Sequence, residues 1–158
     1  VIFCHRFKDV SEKGYDYLCK LSDFIKSLGY EIKVCGEGDF SASASQTYLG
    51  VLNHEILEKL LLNSEAFFLF SKRGEGTSQS FLTAIRCGCK MLCNDLACPK
   101  ELEKSFLKSY SYLTGNFQED LEIISKTLQG NSNNTLLNKE IDSLNNKSFK
   151  LLKKLISL

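Results

Sequence analysis

Residues able to do polar chemistry gather in three short stretches of the chain: Arg6 with Lys13, the turn Gly36-Glu37-Gly38, and Gly74-Glu75-Gly76-Thr77-Ser78. Arg6 falls at the carboxyl end of a first apolar run and Lys13 opens a first amphipathic stretch, so both reach toward one crevice. Fixed cations there suit a phosphate, since a charge-assisted hydrogen bond contributes about 1.5–3 kcal/mol. In the third stretch two glycines flank Glu75, and Thr77 or Ser78 can cap a following helix. The free amides at such a helix start favour an anion. Arg6, Lys13 and this loop together point to a phosphate-bearing ligand.

These residues need a scaffold, and the pattern around them predicts one. Residues 66–70, Ala-Phe-Phe-Leu-Phe, read as a strand buried on both faces. Residues 80–87 read as a helix ended by Gly88, and Met91-Leu92-Cys93 as the next strand. Such a strand–loop–helix–strand unit puts a helix N-terminus at the carboxyl edge of a parallel sheet, where α/β proteins bind polar ligands. Upstream, residues 1–4 form a strand and residues 13–28 a helix, with Tyr17, Leu18, Leu21, Phe24, Ile25 and Leu28 on one face. Residues 31–35 and 47–51 are predicted strands, and Asn53 caps a helix over 54–62. Pro99 opens a short helix over 100–106, followed by a strand at 110–113 and a helix over 118–128. The expected fold class is α/β: a doubly wound, Rossmann-like parallel sheet of about six strands with helices on both faces.

The tract 130–135, Gly-Asn-Ser-Asn-Asn-Thr, reads as a linker, so the expected division is a ligand-binding domain at 1–130 and a tail at 131–158. In the tail, Leu137, Ile141, Leu144, Leu151, Leu152 and Leu155 mark an amphipathic helix with four lysines on its polar side. It is expected to pack on the domain or on a missing amino-terminal domain; a basic membrane-surface helix is the alternative.

Bulk properties exclude several classes. The chain has 158 residues, 43% hydrophobic and 25% charged, with a net charge of +1, so no global field calls for nucleic acid as a partner. No apolar run approaches the roughly 20 residues that span a bilayer. The chain opens at Val1 inside a strand, which suggests a domain cut from a longer protein. Seven cysteines, most of them in predicted strands and helices, suit a reducing, cytoplasmic compartment. Cys87, Cys89, Cys93 and Cys98 lack paired C-x-x-C spacing, so no metal is expected.

The order of these pieces resembles the carboxyl-terminal, donor-binding half of retaining GT-B glycosyltransferases that use nucleotide-sugar donors, over about residues 1–128. His5-Arg6 through Glu12-Lys13-Gly14 is similar to that family's G-R…(E)-K-G segment, and Val34-Cys35-Gly36-Glu37-Gly38 to its V-x-G-x-G turn. Tyr48-Leu49-Gly50-Val51-Leu52 is similar to the F-x-G-x-(V/L) segment, and Asn63 through Ser71 to the strand ending in P-S. Gly74-Glu75-Gly76 with Ala84 through Cys89 resembles E-G-F-G…E-A-M-A-x-G-x-P.

The resemblance implies that Arg6 and Lys13 bind the donor diphosphate, and that Glu75, as the catalytic acid residue, sits beside the donor sugar. Gly74, Gly76, Thr77 and Ser78 would line sugar or phosphate, and Gly36 and Val51 would lie near the nucleoside base. The family's second acid, which contacts ribose, falls on Thr83 here, which can hydrogen-bond a hydroxyl. It also implies a glycan, lipid-linked or protein acceptor, an amino-terminal acceptor domain in the same protein, and no cofactor beyond the nucleotide-diphosphate sugar as substrate. The implied location is cytoplasmic, with peripheral contact at the inner face of a membrane as a variant. A domain holding the donor alone is expected to bind without transferring sugar. Two alternatives stand beside this: a degenerate, non-catalytic domain of the same kind, and a TIR-like signalling or NAD-binding module, whose opening Phe3-Cys4-His5 resembles. A TIR-like sheet would have flavodoxin-like strand order.

Overall fold

The computed structural model describes residues 1–5, 10–38, 45–73, 78–97 and 110–130. Six strands make one sheet: β1 (Ile2–His5), β2 (Ile32–Gly36), β3 (Gln46–Tyr48), β4 (Ala66–Leu69), β5 (Lys90–Cys93) and β6 (Tyr110–Tyr112). Among the described residues four helices cover it: α1 (Tyr15–Ser27), α2 (His54–Leu62), α3 (Gln79–Arg86) and α4 (Phe117–Gln129). Every strand pairing is parallel, and the order is β3-β2-β1-β4-β5-β6. That is the dinucleotide-binding order, with its reversal between β1 and β4. A flavodoxin-like sheet would run 2-1-3-4-5, so the topology overturns the TIR-like expectation.

The period of two along each strand divides the core into two layers. Ile2, Cys35, Phe67, Leu69, Met91 and Cys93 face α2 and α3, where Leu57, Leu61, Phe81, Ala84 and Ile85 close the layer. Phe3, Ile32, Val34, Ala66, Phe68 and Leu92 face the other way, against Leu18, Leu21 and Ile25 of α1 and Ile124 and Leu128 of α4. All four residues of β4 are buried, which explains its continuous apolar run. Phe67 and Phe68 thus each stabilise a different face, by about 1.5–3 kcal/mol apiece.

Helix α2 matches its expected bounds, and the Asn53 side chain accepts from the Ile56 N–H at 2.9 Å. The first helix differs. Residues Val10–Lys13 form a 3₁₀ turn, and α1 begins only at Tyr15, after Gly14 in the left-handed region (φ 78°). Its buried stripe is Tyr15, Leu18, Leu21, Ser22 and Ile25. Ser22 is tolerated inside because its hydroxyl donates to Leu18 O at 2.8 Å and accepts from Gln46 Nε2 at 2.6 Å. The third strand is also displaced, to Gln46–Tyr48, because the chain turns at Gly50 and leaves Val51 outside. The expected helix at 100–106, the linker and tail at 131–158, and Cys98 lie outside the described residues.

Candidate functional site at the switch point

Two strands part company at the carboxyl edge. β1 pairs with β2 as far as His5↔Gly36, but with β4 only as far as Phe3↔Phe68. Beyond that register the sheet opens between β1 and β4, and the helices that follow them, α1 and α3, pack on opposite faces. Ligands of open α/β sheets bind at such a point. Here the Val10–Gly14 segment lies against the continuation of β4. The Phe70 N–H donates to Lys13 O at 3.3 Å and the Lys72 N–H to Glu12 O at 2.9 Å. Two ion pairs flank these bonds: Arg73–Glu12 at 2.9 Å and Lys72–Asp16 at 2.8 Å. Both are well exposed, so each contributes under about 1 kcal/mol.

Gly14 makes the close approach possible. A Cβ built on it would lie 2.6 Å from Phe70 Cβ and closer still to Phe70 O, so only glycine lets the two segments meet. The Phe70 ring also packs against Tyr17, with ring centroids 4.7 Å apart. Tyr17 in turn donates its hydroxyl to Asp120 Oδ2 at 2.5 Å. Asp120 is fully buried and accepts in addition from the Thr114 N–H at 2.7 Å, the Gly115 N–H at 2.9 Å and Thr114 Oγ1 at 3.1 Å. These bonds satisfy a carboxylate that would otherwise be costly inside the fold. Burial, together with the Asp120 carboxylate, pushes the Tyr17 phenol above its ordinary range.

Of the residues singled out from the sequence, Lys13 closes the 3₁₀ turn directly beside the extension of β4. Gly36 ends β2; its N–H donates to Gly50 O at 2.8 Å and its carbonyl accepts from the Tyr48 hydroxyl at 2.7 Å. Val51 follows Gly50 and is 67% exposed, so an open apolar side chain stands near Gly36. Ser78 is the N-cap residue of α3, but its Oγ lies 2.9 Å from Ser80 Oγ rather than on a helix amide. Thr83 is 3% exposed, and its hydroxyl donates to Gln79 O at 2.8 Å. Arg6, Gly74, Glu75, Gly76 and Thr77 lie outside the described residues. Lys13 and the β4 end are thus brought together, and so are Gly36 and Val51.

Sequence reasoning passed over Asn94, Tyr17 as a polar group, and Asp120. Asn94 had one signal, a lone amide directly after the buried run Met91-Leu92-Cys93. Among the described residues no three His, Cys, Asp or Glu side chains stand close enough to hold a metal ion. Cys89 donates to Leu61 O at 3.3 Å, and burial pushes its thiol up to about 12. No described helix is long and apolar enough to cross a membrane.

The fold is a doubly wound, Rossmann-like α/β domain. No family model and no curated protein matches the sequence. Solved structures do match the fold. A pneumococcal O-GlcNAc transferase, GtfA, in complex with UDP and GlcNAc is similar over 99% of this chain, with TM-score 0.72 and 16% identity. TarM from S. aureus, in a complex that includes UDP, is similar over 95% with TM-score 0.67 and 15% identity. WaaG, a glycosyltransferase involved in lipopolysaccharide biosynthesis, is similar over 88% with TM-score 0.66 and 12% identity. The chain spans 35–40% of the length of these three proteins.

Proposed function

We propose that the chain is the donor-binding half of a retaining GT-B glycosyltransferase, and that it holds a nucleotide-diphosphate sugar at the switch point. The observation that carries this reading is the junction of Lys13 with the end of β4, where the sheet order reverses. The cited glycosyltransferase structures that contain UDP have the same fold, which supports a nucleotide ligand. In this reading Lys13 and Arg6 hold the diphosphate and stabilise it as the leaving group, because fixed cations act where negative charge grows. Glu75 accepts hydrogen bonds from the sugar hydroxyls, while Gly74, Gly76, Thr77 and Ser78 supply the adjoining loop and helix start. The base lies over Gly36 and the exposed Val51, and ribose reaches toward α3, which carries Thr83. The acceptor, a glycan, lipid-linked or protein group, is brought by a further domain, so this chain binds donor and transfers sugar only within a longer protein.

The test is a thermal-shift series with UDP, GDP, ADP and their sugars. At one hundred times Kd, binding adds about 2.7 kcal/mol, or roughly 5–10 °C for a chain of this size. Lys13→Ala and Arg6→Ala are expected to remove the shift. No shift with any nucleotide sinks the proposal. One observation favours a second reading, a donor-binding domain without catalysis: Thr83 is buried and its hydroxyl proton is directed at its own helix. In the longer protein, donor binding with no sugar transfer would support that second reading.

A further inference from the structure

The backbone of β4 goes on behaving as a strand after its sheet partners have ended. Its last backbone pairing with β5 is Leu69↔Cys93. Beyond it, the amides of Phe70 and Lys72 turn toward Glu12 and Lys13, and the amide between them, Ser71, turns the opposite way. On that side stands the side chain of Asn94, the residue after β5. The Ser71 N–H donates to Asn94 Oδ1 at 3.0 Å, and Asn94 Nδ2 donates to Ser71 O at 2.6 Å. A carboxamide offers one donor and one acceptor in a fork, as a peptide group does. Asn94 therefore takes the place of a further strand residue and carries the ladder past the end of β5.

Both residues are buried, Ser71 at 1% and Asn94 at 6% exposure, so a partner removed from either leaves a buried polar group unmatched. The neighbouring side chains form exposed ion pairs with the opposite bank: Lys72 with Asp16 and Arg73 with Glu12. The extension of β4 is therefore gripped on one side by the segment carrying Lys13 and on the other by Asn94. Aspartate keeps the acceptor but lacks the donor, and alanine lacks both.

We propose that Asn94 is a positioning residue of the nucleotide site. It acts through Ser71, holding the end of β4 at the distance from Lys13 that the diphosphate requires. This rests on the nucleotide-binding reading given above. The experiment measures the Kd of UDP for the 158-residue chain and for Asn94→Ala, Asn94→Asp and Asn94→Gln, with hydrogen exchange followed at the Ser71 amide. Asn94→Ala is expected to raise Kd about tenfold, the equivalent of one lost hydrogen-bonded anchor. Exchange at Ser71 should speed up by about a hundredfold while the central strands stay protected. Asn94→Gln, which restores the amide, should recover most of the affinity, and Asn94→Asp should fall between Gln and Ala.

If Asn94→Ala does not fold, the Asp and Gln variants decide the matter. A Kd for Asn94→Asp equal to that of the unaltered chain overturns the proposal, as does a glutamine variant no better than the aspartate one. A Kd within about twofold for a folded Asn94→Ala overturns it as well, one lost hydrogen bond being worth more than that. If the unaltered chain binds no UDP, GDP or ADP, the nucleotide reading itself fails, and this positioning role fails with it.

Discussion

Gly14→Ala isolates the contact on which the switch point depends. Gly14 has φ 78°, and an added Cβ would fall 2.6 Å from Phe70 Cβ and closer to its carbonyl oxygen. A left-handed alanine costs about 1–2 kcal/mol by itself. The overlap adds about 1–3 kcal/mol, either as overpacking or as loss of the bond from Phe70 N–H to Lys13 O. The expected total is about 2–5 kcal/mol, a large part of the 5–15 kcal/mol that keeps a domain folded. Gly29→Ala supplies the control. Gly29 has φ 88°, yet nothing lies within 4 Å of its added Cβ, so only the backbone cost of about 1–2 kcal/mol is expected. Urea denaturation of both variants gives the two losses, with the m-value checking that the unfolding transition is unchanged. The difference between them is the price of the Phe70 contact. Losses equal to within about 0.5 kcal/mol, the scatter of ordinary surface changes, would refute the close approach of the two segments. The same pair should separate in function, with UDP affinity falling for Gly14→Ala and holding for Gly29→Ala.

Other perturbations probe the supports of that contact. Tyr17→Phe keeps the ring against Phe70 but removes the bond to Asp120, and should cost about 1.5–3 kcal/mol in denaturant melts, the range for a hydrogen bond to a charged group. Asp120→Ala strips a partner from Tyr17, Thr114 and Gly115 together and should cost more than Tyr17→Phe; equal losses would place the energy elsewhere. Tyr17 and Tyr15 are both raised above the ordinary tyrosine value of 10.0, each chiefly by burial. Their neutral forms are therefore favoured by the fold: the stabilisation is complete below pH 10 and is lost as pH rises through and beyond it. Tm should fall in alkali, and Tyr17→Phe should flatten that fall. Cys89, pushed up to about 12, should resist alkylation at pH 8 in the folded chain and react on unfolding, as peptide mapping would show.

What could be read in the sequence was local. Asn53 and the apolar period of residues 54–62 specify a capped helix from within ten residues, and that helix has its predicted bounds. The four apolar residues of β4 announce burial on both faces for the same reason. The start of α1 was misjudged because Gly14 is held in the left-handed region by a segment 56 residues further on, at Phe70, which no local window reveals. Strand order follows from packing between distant elements, so the period of each strand left both the dinucleotide and the flavodoxin arrangements open. The same holds for the site. Lys13 stood out as a cation before a helix, whereas Asp120 bonds a partner 103 residues away, and Asn94, marked locally only as a lone amide after an apolar run, bonds one 23 residues away.

The central claim is that a nucleotide diphosphate lies where β1 and β4 part. A crystal structure of the chain soaked with UDP tests it most directly. The account predicts diphosphate oxygens within roughly 3 Å of the Lys13 Nζ, with the base over Gly36 and Val51. Diphosphate bound away from the β1–β4 opening, or no nucleotide at millimolar UDP, would contradict it.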